Sequence, residues 1–475
     1  MTSAAFPEPA PQKLSWRFPR TFWVANGAEL LERAAYYGMF IALALYLTER
    51  VGFSDFQTGI VAGCFASVLY LLPMFTGALA DRIGFRQALM LAFALLTVGY
   101  FTLGVSQQKP IVILALAIIM VGGAIVKPVI SGTAAKCSDD AHRPRAFSIF
   151  YMVINIGAFS GKSIAKPLRT ELGLEYINYY AAIMALLAFI FVALLYRNVG
   201  GEGSNRSVRE IVRGLGKVFS NGRFMCLIVI VAGFWAIQGQ LYASMPKYVL
   251  RLVGEHAAPE WLANINPLVV VLLVVPITHL VRRFKPASSI GIALGIVPLA
   301  ALSIAVSPLL QARAGTQVDI FGWFSLHPIT VMAVCGIALL GLAECFLSPK
   351  YYEFASKQAP PGQVGMYMGY QSLTTFLAWG FAFLSSGYLL TRFCPDPKTL
   401  PPEVYAQWQA ATSIGAGASA TPLPEAYAHA HYLWYVYAAV GVVAFAALLI
   451  FKFITDRIDR RREQAAQEAE VKASA

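Results

Sequence analysis

Residues 21–48 read TFWVANGAELLERAAYYGMFIALALYLT, an apolar run that carries Glu29, Glu32 and Arg33 near its middle. A helix of about 20 apolar residues crosses a hydrocarbon core of about 30 Å. Each ionisable group at its centre costs roughly 2.5–3.5 kcal/mol on insertion scales. Three such groups in one span therefore need a wet cavity or each other. The rest of the chain repeats such apolar runs many times: of 475 residues, 57% are hydrophobic and 13% charged, with mean hydropathy +0.60. A soluble chain carries about 25% charged residues. The composition thus excludes a soluble, disordered or nucleic-acid-binding protein, despite a net charge of +12. The apolar runs are continuous rather than alternating, which argues against a β-barrel. The fold class is an all-α polytopic membrane protein.

Twelve spans are expected, at 21–48, 57–80, 87–106, 110–134, 146–168, 175–196, 223–250, 264–281, 287–309, 327–348, 363–391 and 430–454. Even parity puts both termini on one side. The loops near 82–86, 136–145, 197–223, 282–285 and 350–357, with both tails, hold most of the Lys and Arg. The positive-inside rule makes that side the cytoplasm. Arg50, Lys109, Arg251 and Lys398 fall on the other side and keep the asymmetry from being total. The first twenty residues hold prolines and no apolar h-region, so no cleaved signal peptide is expected. Residues 199–222 are polar, then amphipathic: Val208, Ile211, Val212, Leu215 and Phe219 recur at helical spacing, with Arg206, Arg209, Arg213 and Lys217 on the other face. A basic helix lying on the inner leaflet is the natural reading. It divides the chain into a tail (1–20), six spans (21–198), a connector (199–222), six spans (223–455) and a second tail (456–475). The tail RRREQAAQEAEVKASA is expected to prolong the last helix briefly, and the Pro- and Ala-rich stretch 392–429 to be a mobile external loop.

Further charges interrupt later spans: Lys127 in the fourth, Lys162 in the fifth and Glu344 in the tenth. With the first-span cluster these six would cost on the order of 15–20 kcal/mol unpaired. Glu29 and Arg33 stand four apart, in the favourable order for an ion pair along a helix. Two acids sharing one local base leave a negative charge for a proton or a distant cation, and Lys127 is the candidate cation. A carboxylate whose countercharge comes and goes is the chemistry of a proton site. The six cysteines form no CxxC pair and no Cys/His cluster, so neither a disulfide framework nor a metal site is expected.

These residues carry a resemblance. ELLERAAYYG (Glu29–Gly38) resembles the ExxERFxYYG signature of the proton-dependent oligopeptide transporter family. FSIFYMVINIGAFSG (Phe147–Gly161) is similar to the family's FYxxINxG motif, and VGGAIVKPVIS (Val121–Ser131) to its fourth-span GxGxxKPNIS. GALADRIGFR (Gly77–Arg86) resembles the loop found throughout the wider major facilitator superfamily, and the likeness extends through ECFLSP (Glu344–Pro349). The resemblance implies the major facilitator fold, twelve helices in two six-helix bundles around a midplane site. It further implies a proton-coupled symporter of di- and tripeptides. By the family's pattern, Glu29, Glu32, Arg33 and Lys127 would couple protons, and Arg33 and Lys127 would also hold the peptide carboxylate. Glu344, Asn155 and Asn266 would hold the amino group, while Tyr37, Tyr70, Trp235, Gln238 and Tyr370 would line the pocket. The residues support this division themselves: a cavity cationic at one end and anionic at the other matches a zwitterion.

The sequence departs from the family in four places. The family's second first-span arginine is Phe40 here, and its seventh-span acid falls in WAIQGQ, at Gln238 and Gly239. Losing both members of a charged pair avoids stranding one of them, so the outer mouth is expected to close by apolar or hydrogen-bond contact. The 199–222 connector is too short for the two extra helices usual in bacterial members. Lys162, on the stripe of Tyr151, Asn155 and Ala158, has no place in the pattern; it either snorkels or packs, or it adjusts substrate charge preference.

The alternative within transporters is a carrier of another zwitterionic or anionic solute. An enzyme is not expected, because no nucleophile–base set or HExxH motif is present. A receptor with a transporter fold would predict loss of the proton site, yet ELLER is intact. No cofactor beyond the proton gradient is expected. The expected partners are peptide, protons and lipid, with no nucleic acid, for a monomer in the inner membrane with both termini cytoplasmic.

Overall fold

A computed structural model of the chain describes residues 18–139, 142–197, 216, 219–254, 257–358, 371–413 and 422–474. Among these, twelve helices are long and apolar enough to cross a membrane: α1 Arg20–Arg50, α2 Asp55–Gly77, α3 Phe85–Val105, α4 Lys109–Lys136, α5 Arg145–Leu172, α6 Leu174–Leu195, α7 Gly222–Ala243, α8 Pro259–Val281, α9 Pro286–Ala305, α10 Pro328–Tyr351, α11 Ser372–Phe393 and α12 Glu425–Ile458. They match the expected spans to within a few residues, apart from three ends. The seventh is interrupted after Gln238 and again at Ser244, and resumes as Met245–Val253. The eleventh is described from Ser372 only, and the twelfth begins earlier, with a short turn at Glu425–Tyr427. Of the 199–222 connector, only Gly216 and residues 219–222 are described.

Consecutive helices run in opposite directions. One end of the bundle, here the terminal end, carries the start of α1 and the end of α12. The other, the distal end, carries the turn at 51–54. Local chemistry sets the turns. At the distal end Ser54 caps α2: its Oγ accepts from Gln57 N–H at 3.2 Å, and Gln57 Oε1 accepts from Ser54 N–H at 3.1 Å. At the terminal end Gly84, with φ +87°, turns the chain from α2 into α3.

The helix with the charges is the one most enclosed: 78% of the most apolar stretch of α1 is buried, against 28% for α8 and 22% for α12. Glycines of the INIGAFSG motif explain how α5 reaches it. A Cβ on Gly157 would lie 2.8 Å from Leu30 O and 2.7 Å from Arg33 Cβ, and one on Gly161 would lie 2.2 Å from Ala34 O. Small residues four apart let helix backbones touch in a membrane. Prolines add a second device, since each frees the carbonyl four residues earlier. Pro128 frees Ala124 O, which accepts Thr76 Oγ1 from α2 at 2.7 Å. Pro167 frees Ser163 O, which accepts Trp261 Nε1 from α8 at 3.1 Å.

Two readings of the tails and loops are corrected. The last helix continues to Ser474, well beyond a brief extension. In its described part, 392–429 is built rather than irregular: a helix spans Pro402–Thr412, and Trp408 Nε1 donates to Arg251 O at 2.8 Å. Aromatic and prolyl side chains in that stretch give it its own packing against the distal end.

Candidate functional site

A cavity of about 590 Å³ lies between the two sets of six helices, from mid-bundle toward the terminal end. Glu32, Arg33, Tyr70, Lys127 and Trp235 line it, together with Tyr36, Tyr100, Ser131, Tyr351 and Gln371. The last five were not singled out from the sequence, because a tyrosine or serine in an apolar helix reads equally well as packing.

The α1 cluster is resolved into unequal partners. Arg33 Nε is hydrogen-bonded to Glu32 and stands 3.2 Å from Glu29 Oε1. Both acids are 1% exposed, and among the described residues neither Glu29 oxygen accepts a hydrogen bond. The guanidinium also lies 5.4 and 6.0 Å from the ring centres of Tyr36 and Tyr37. One cation thus serves two carboxylates, and Glu29 is the less satisfied. Lys127 does not reach them: among the described residues it forms no ion pair within 4 Å. Its ammonium lies 5.5 Å from the Tyr70 ring, and the side chain is exposed in the cavity.

Glu344, on α10, is the corresponding acid of the second half. Its Oε2 accepts from Gln238 Nε2 at 3.2 Å and from Asn266 Nδ2 at 3.3 Å. The structure therefore brings together Glu344, Gln238 and Asn266. It does not bring Asn155 to them: Asn155 Nδ2 donates to Tyr151 O on its own helix at 2.8 Å. The second lone pair of the carbonyl four residues back is within reach of a helical asparagine side chain. Tyr370 lies outside the described residues. Lys162 does not snorkel; it is 2% exposed and donates to Ala263 O across the bundle at 3.0 Å.

Above the cavity, Phe40 fills the place of the missing arginine with an aromatic plug. Its ring centre lies 5.1 Å from Tyr242, 5.2 Å from Trp379 and 5.8 Å from Phe383, all in the second half. Such pairs contribute about 0.5–1.5 kcal/mol each beyond their area. The backbones of α2 and α11 also touch there, since a Cβ on Gly59 would lie 2.5 Å from Phe383 O. The expectation of closure by apolar or hydrogen-bond contact fails at the distal mouth itself. Asp55 Oδ1 pairs with Lys247 Nζ at 2.7 Å and Asp55 Oδ2 with Arg251 Nη1 at 2.8 Å, with all three residues buried. Lys247 also donates to Thr48, and Arg169 pairs with Glu260 at 2.5 Å on the α5–α8 side. A charged closure is present without a charge at Phe40 or Gly239; it is carried by Asp55, Lys247 and Arg251, the last two about two to three turns beyond Gly239. Asp55 beside a helix cap and Lys247 near a span end gave no sequence signal, because charges are cheap at the interface.

The model of the Major Facilitator Superfamily matches residues 27–383. Over 245 residues the chain is 33% identical to dipeptide and tripeptide permease B of Salmonella typhimurium (strain LT2), a match covering 50% of this chain and 48% of the relative. It is also 33% identical over 198 residues to the permease B of Photorhabdus asymbiotica, covering 40% of each. The chain thus spans less than half the length of these curated relatives. In fold it is similar to a POT family transporter solved in complex with 5-aminolevulinic acid, with TM-score 0.71, 19% identity and coverage of 94% of this chain and 98% of that one. It is likewise similar to a peptide transporter POT solved with sulfate, with TM-score 0.68, 21% identity and 95% and 97% coverage. With three quarters of its length inside the family model and twelve spanning helices around a charged central cavity, this chain belongs to the Major Facilitator Superfamily.

Proposed function

We propose that the protein is a proton-coupled symporter that imports di- and tripeptides across the inner membrane by alternating access. The observation that carries this reading is the division of charge across the bundle. Arg33 and Lys127 face the cavity from the first six helices, while Glu344 stands in the second six with two amide donors. A peptide's carboxylate and ammonium would bridge the two, and binding would favour the state in which the halves approach. The basic loops make the terminal end cytoplasmic. With the distal mouth closed by Asp55, Lys247 and Arg251, the conformation is then the inward-facing one. The units that would rock are 21–198 and 223–455.

The proton enters the reading through charge arithmetic. Glu29 and Glu32 share Arg33, so the α1 cluster holds one excess negative charge in a buried place. Burying an unmatched charge is costly, and a proton on Glu29 removes it. Release follows when a cation such as Lys127 approaches or the cavity hydrates. Similarity to a dipeptide and tripeptide permease over half of the chain supports the same reading. The test is uptake of labelled Ala-Ala into proteoliposomes under an inward proton gradient, competed by dipeptides, free amino acids and organic anions. Competition by dipeptides alone supports peptide import. Competition by organic anions, with none by peptides, would replace it with anion transport through Arg33 and Lys127.

A further inference from the structure

Gln371 immediately precedes α11 and lines the central cavity from the second half. A side chain in that place can turn back and accept from the first free N–H groups of the helix. That of Gln371 makes no such cap. The residue is 8% exposed, and among the described residues its Oε1 has no hydrogen-bond partner. An amide oxygen can only accept, and a buried acceptor left unmatched is costly until a donor arrives. The residue is held where it stands. Gln371 O accepts from Thr374 N–H at 3.0 Å, and Thr374 Oγ1 is hydrogen-bonded to Tyr351 Oη of α10. Ser131, in the facing wall, has no proton to spare, since its Oγ donates to Lys127 O at 2.8 Å.

The same cavity holds Arg33 and Lys127. In a dipeptide the terminal carboxylate and the peptide N–H hang from one Cα. A carboxylate held by these cations therefore brings that N–H into the cavity with it. The ammonium lies one residue further on and needs a countercharge, which a neutral amide does not supply. A neutral N–H needs only an acceptor. We propose that Gln371 is a specificity-determining residue whose Oε1 accepts the N–H of the substrate's last peptide bond, so that the site selects secondary amides over esters. The proposal rests on the peptide reading, in which Arg33 and Lys127 take the carboxyl end. An ester oxygen in place of the N–H would set its lone pairs against those of Oε1 and leave the buried acceptor unmatched.

The test uses two competitors of labelled Ala-Ala uptake in proteoliposomes: unlabelled Ala-Ala and its ester analogue, alanyl-lactate. The analogue keeps both charged ends and both methyl groups, and only the peptide N–H is replaced by oxygen. In the wild type Ala-Ala should compete about two- to twelvefold better, the worth of one net hydrogen bond. Gln371→Met, which keeps the length of the side chain and removes the acceptor, should bring the two competitors together. Equal competition in the wild type would overturn the proposal without any variant, so it does not depend on Gln371→Met folding. That result would also follow if Oε1 met the ammonium, which both competitors carry. A preference that survives Gln371→Met would overturn the proposal too. Absence of saturable Ala-Ala uptake would instead overturn the peptide reading, and the role of Gln371 with it.

Discussion

Replacing Asp55 by Asn removes the one carboxylate that holds both Lys247 and Arg251 in the closed distal mouth. All three side chains are nearly inaccessible, at 6%, 2% and 6% exposure, so water cannot take over the lost charge. Breaking a buried pair by removing one partner costs about 3–5 kcal/mol. The lower figure applies, because Arg251 keeps Cys394 O at 2.5 Å and Asp396 at 3.9 Å, and Lys247 keeps Thr48. About 3 kcal/mol shifts the closed-to-open ratio by roughly 100-fold. Cys394 provides the probe. It is 0% exposed beside the clasp, and burial pushes its thiol up to about 12. Once the mouth opens, the thiol returns toward about 8.5 and reacts at pH 8. The Cys394 adduct of a membrane-impermeant maleimide, quantified by peptide mass spectrometry, should form far faster in Asp55→Asn than in the wild type or Asp55→Glu. Labelling of Asp55→Asn at the wild-type rate would show that the ion pairs do not hold the mouth shut.

Other substitutions probe the remaining parts. Glu29→Gln should abolish accumulation of peptide against its gradient and spare exchange, since it mimics the protonated acid; accumulation by the variant would remove Glu29 from the coupling. Phe40→Arg puts a guanidinium into the aromatic plug, where an uncompensated buried charge costs several kcal/mol; it should lower transport strongly, and wild-type uptake would mean that the plug is wet. Glu344→Gln should narrow the difference in competition between free and N-acetylated dipeptides, about tenfold or more in the wild type; an unchanged ratio would place the amino group elsewhere. Gly161→Leu forces a side chain into Ala34 O, and overpacking of this kind costs about 1–3 kcal/mol or more; thermal unfolding in detergent should fall by several degrees, and an unchanged midpoint would deny the close α1–α5 contact.

The spans and the α1 cluster were legible because the bilayer makes a continuous apolar run unmistakable and an ionisable group inside it expensive. Glu344 stood out for the same reason. What failed to show was orientation and pairing across distance. Asn155 sits at a promising position, yet its amide has a carbonyl on its own helix to bind. Asp55 and Lys247 are 192 residues apart and lie at span ends, where a charge needs no explanation. The cations that blurred the charge asymmetry now have structural uses. Arg50 pairs with Glu175, Arg251 with Asp55, Lys398 donates to Glu49 O at 3.4 Å, and Lys109 lies 5.0 Å from the Phe53 ring. A positive-inside count treats them as noise, whereas in three dimensions they fasten the distal end. The helix at Pro402–Thr412 was hidden by the prolines and alanines around it, which read as a linker until Trp408 is seen bonded to Arg251 O.

Proton movement on addition of peptide is the decisive observation. Proteoliposomes loaded with a pH-sensitive dye, with no gradient imposed, should acidify inside when Ala-Ala is added outside, in proportion to peptide entry. Glu29→Gln should abolish the acidification while peptide exchange continues. Peptide entry at wild-type rate with no change in internal pH would contradict proton-coupled symport through the α1 cluster.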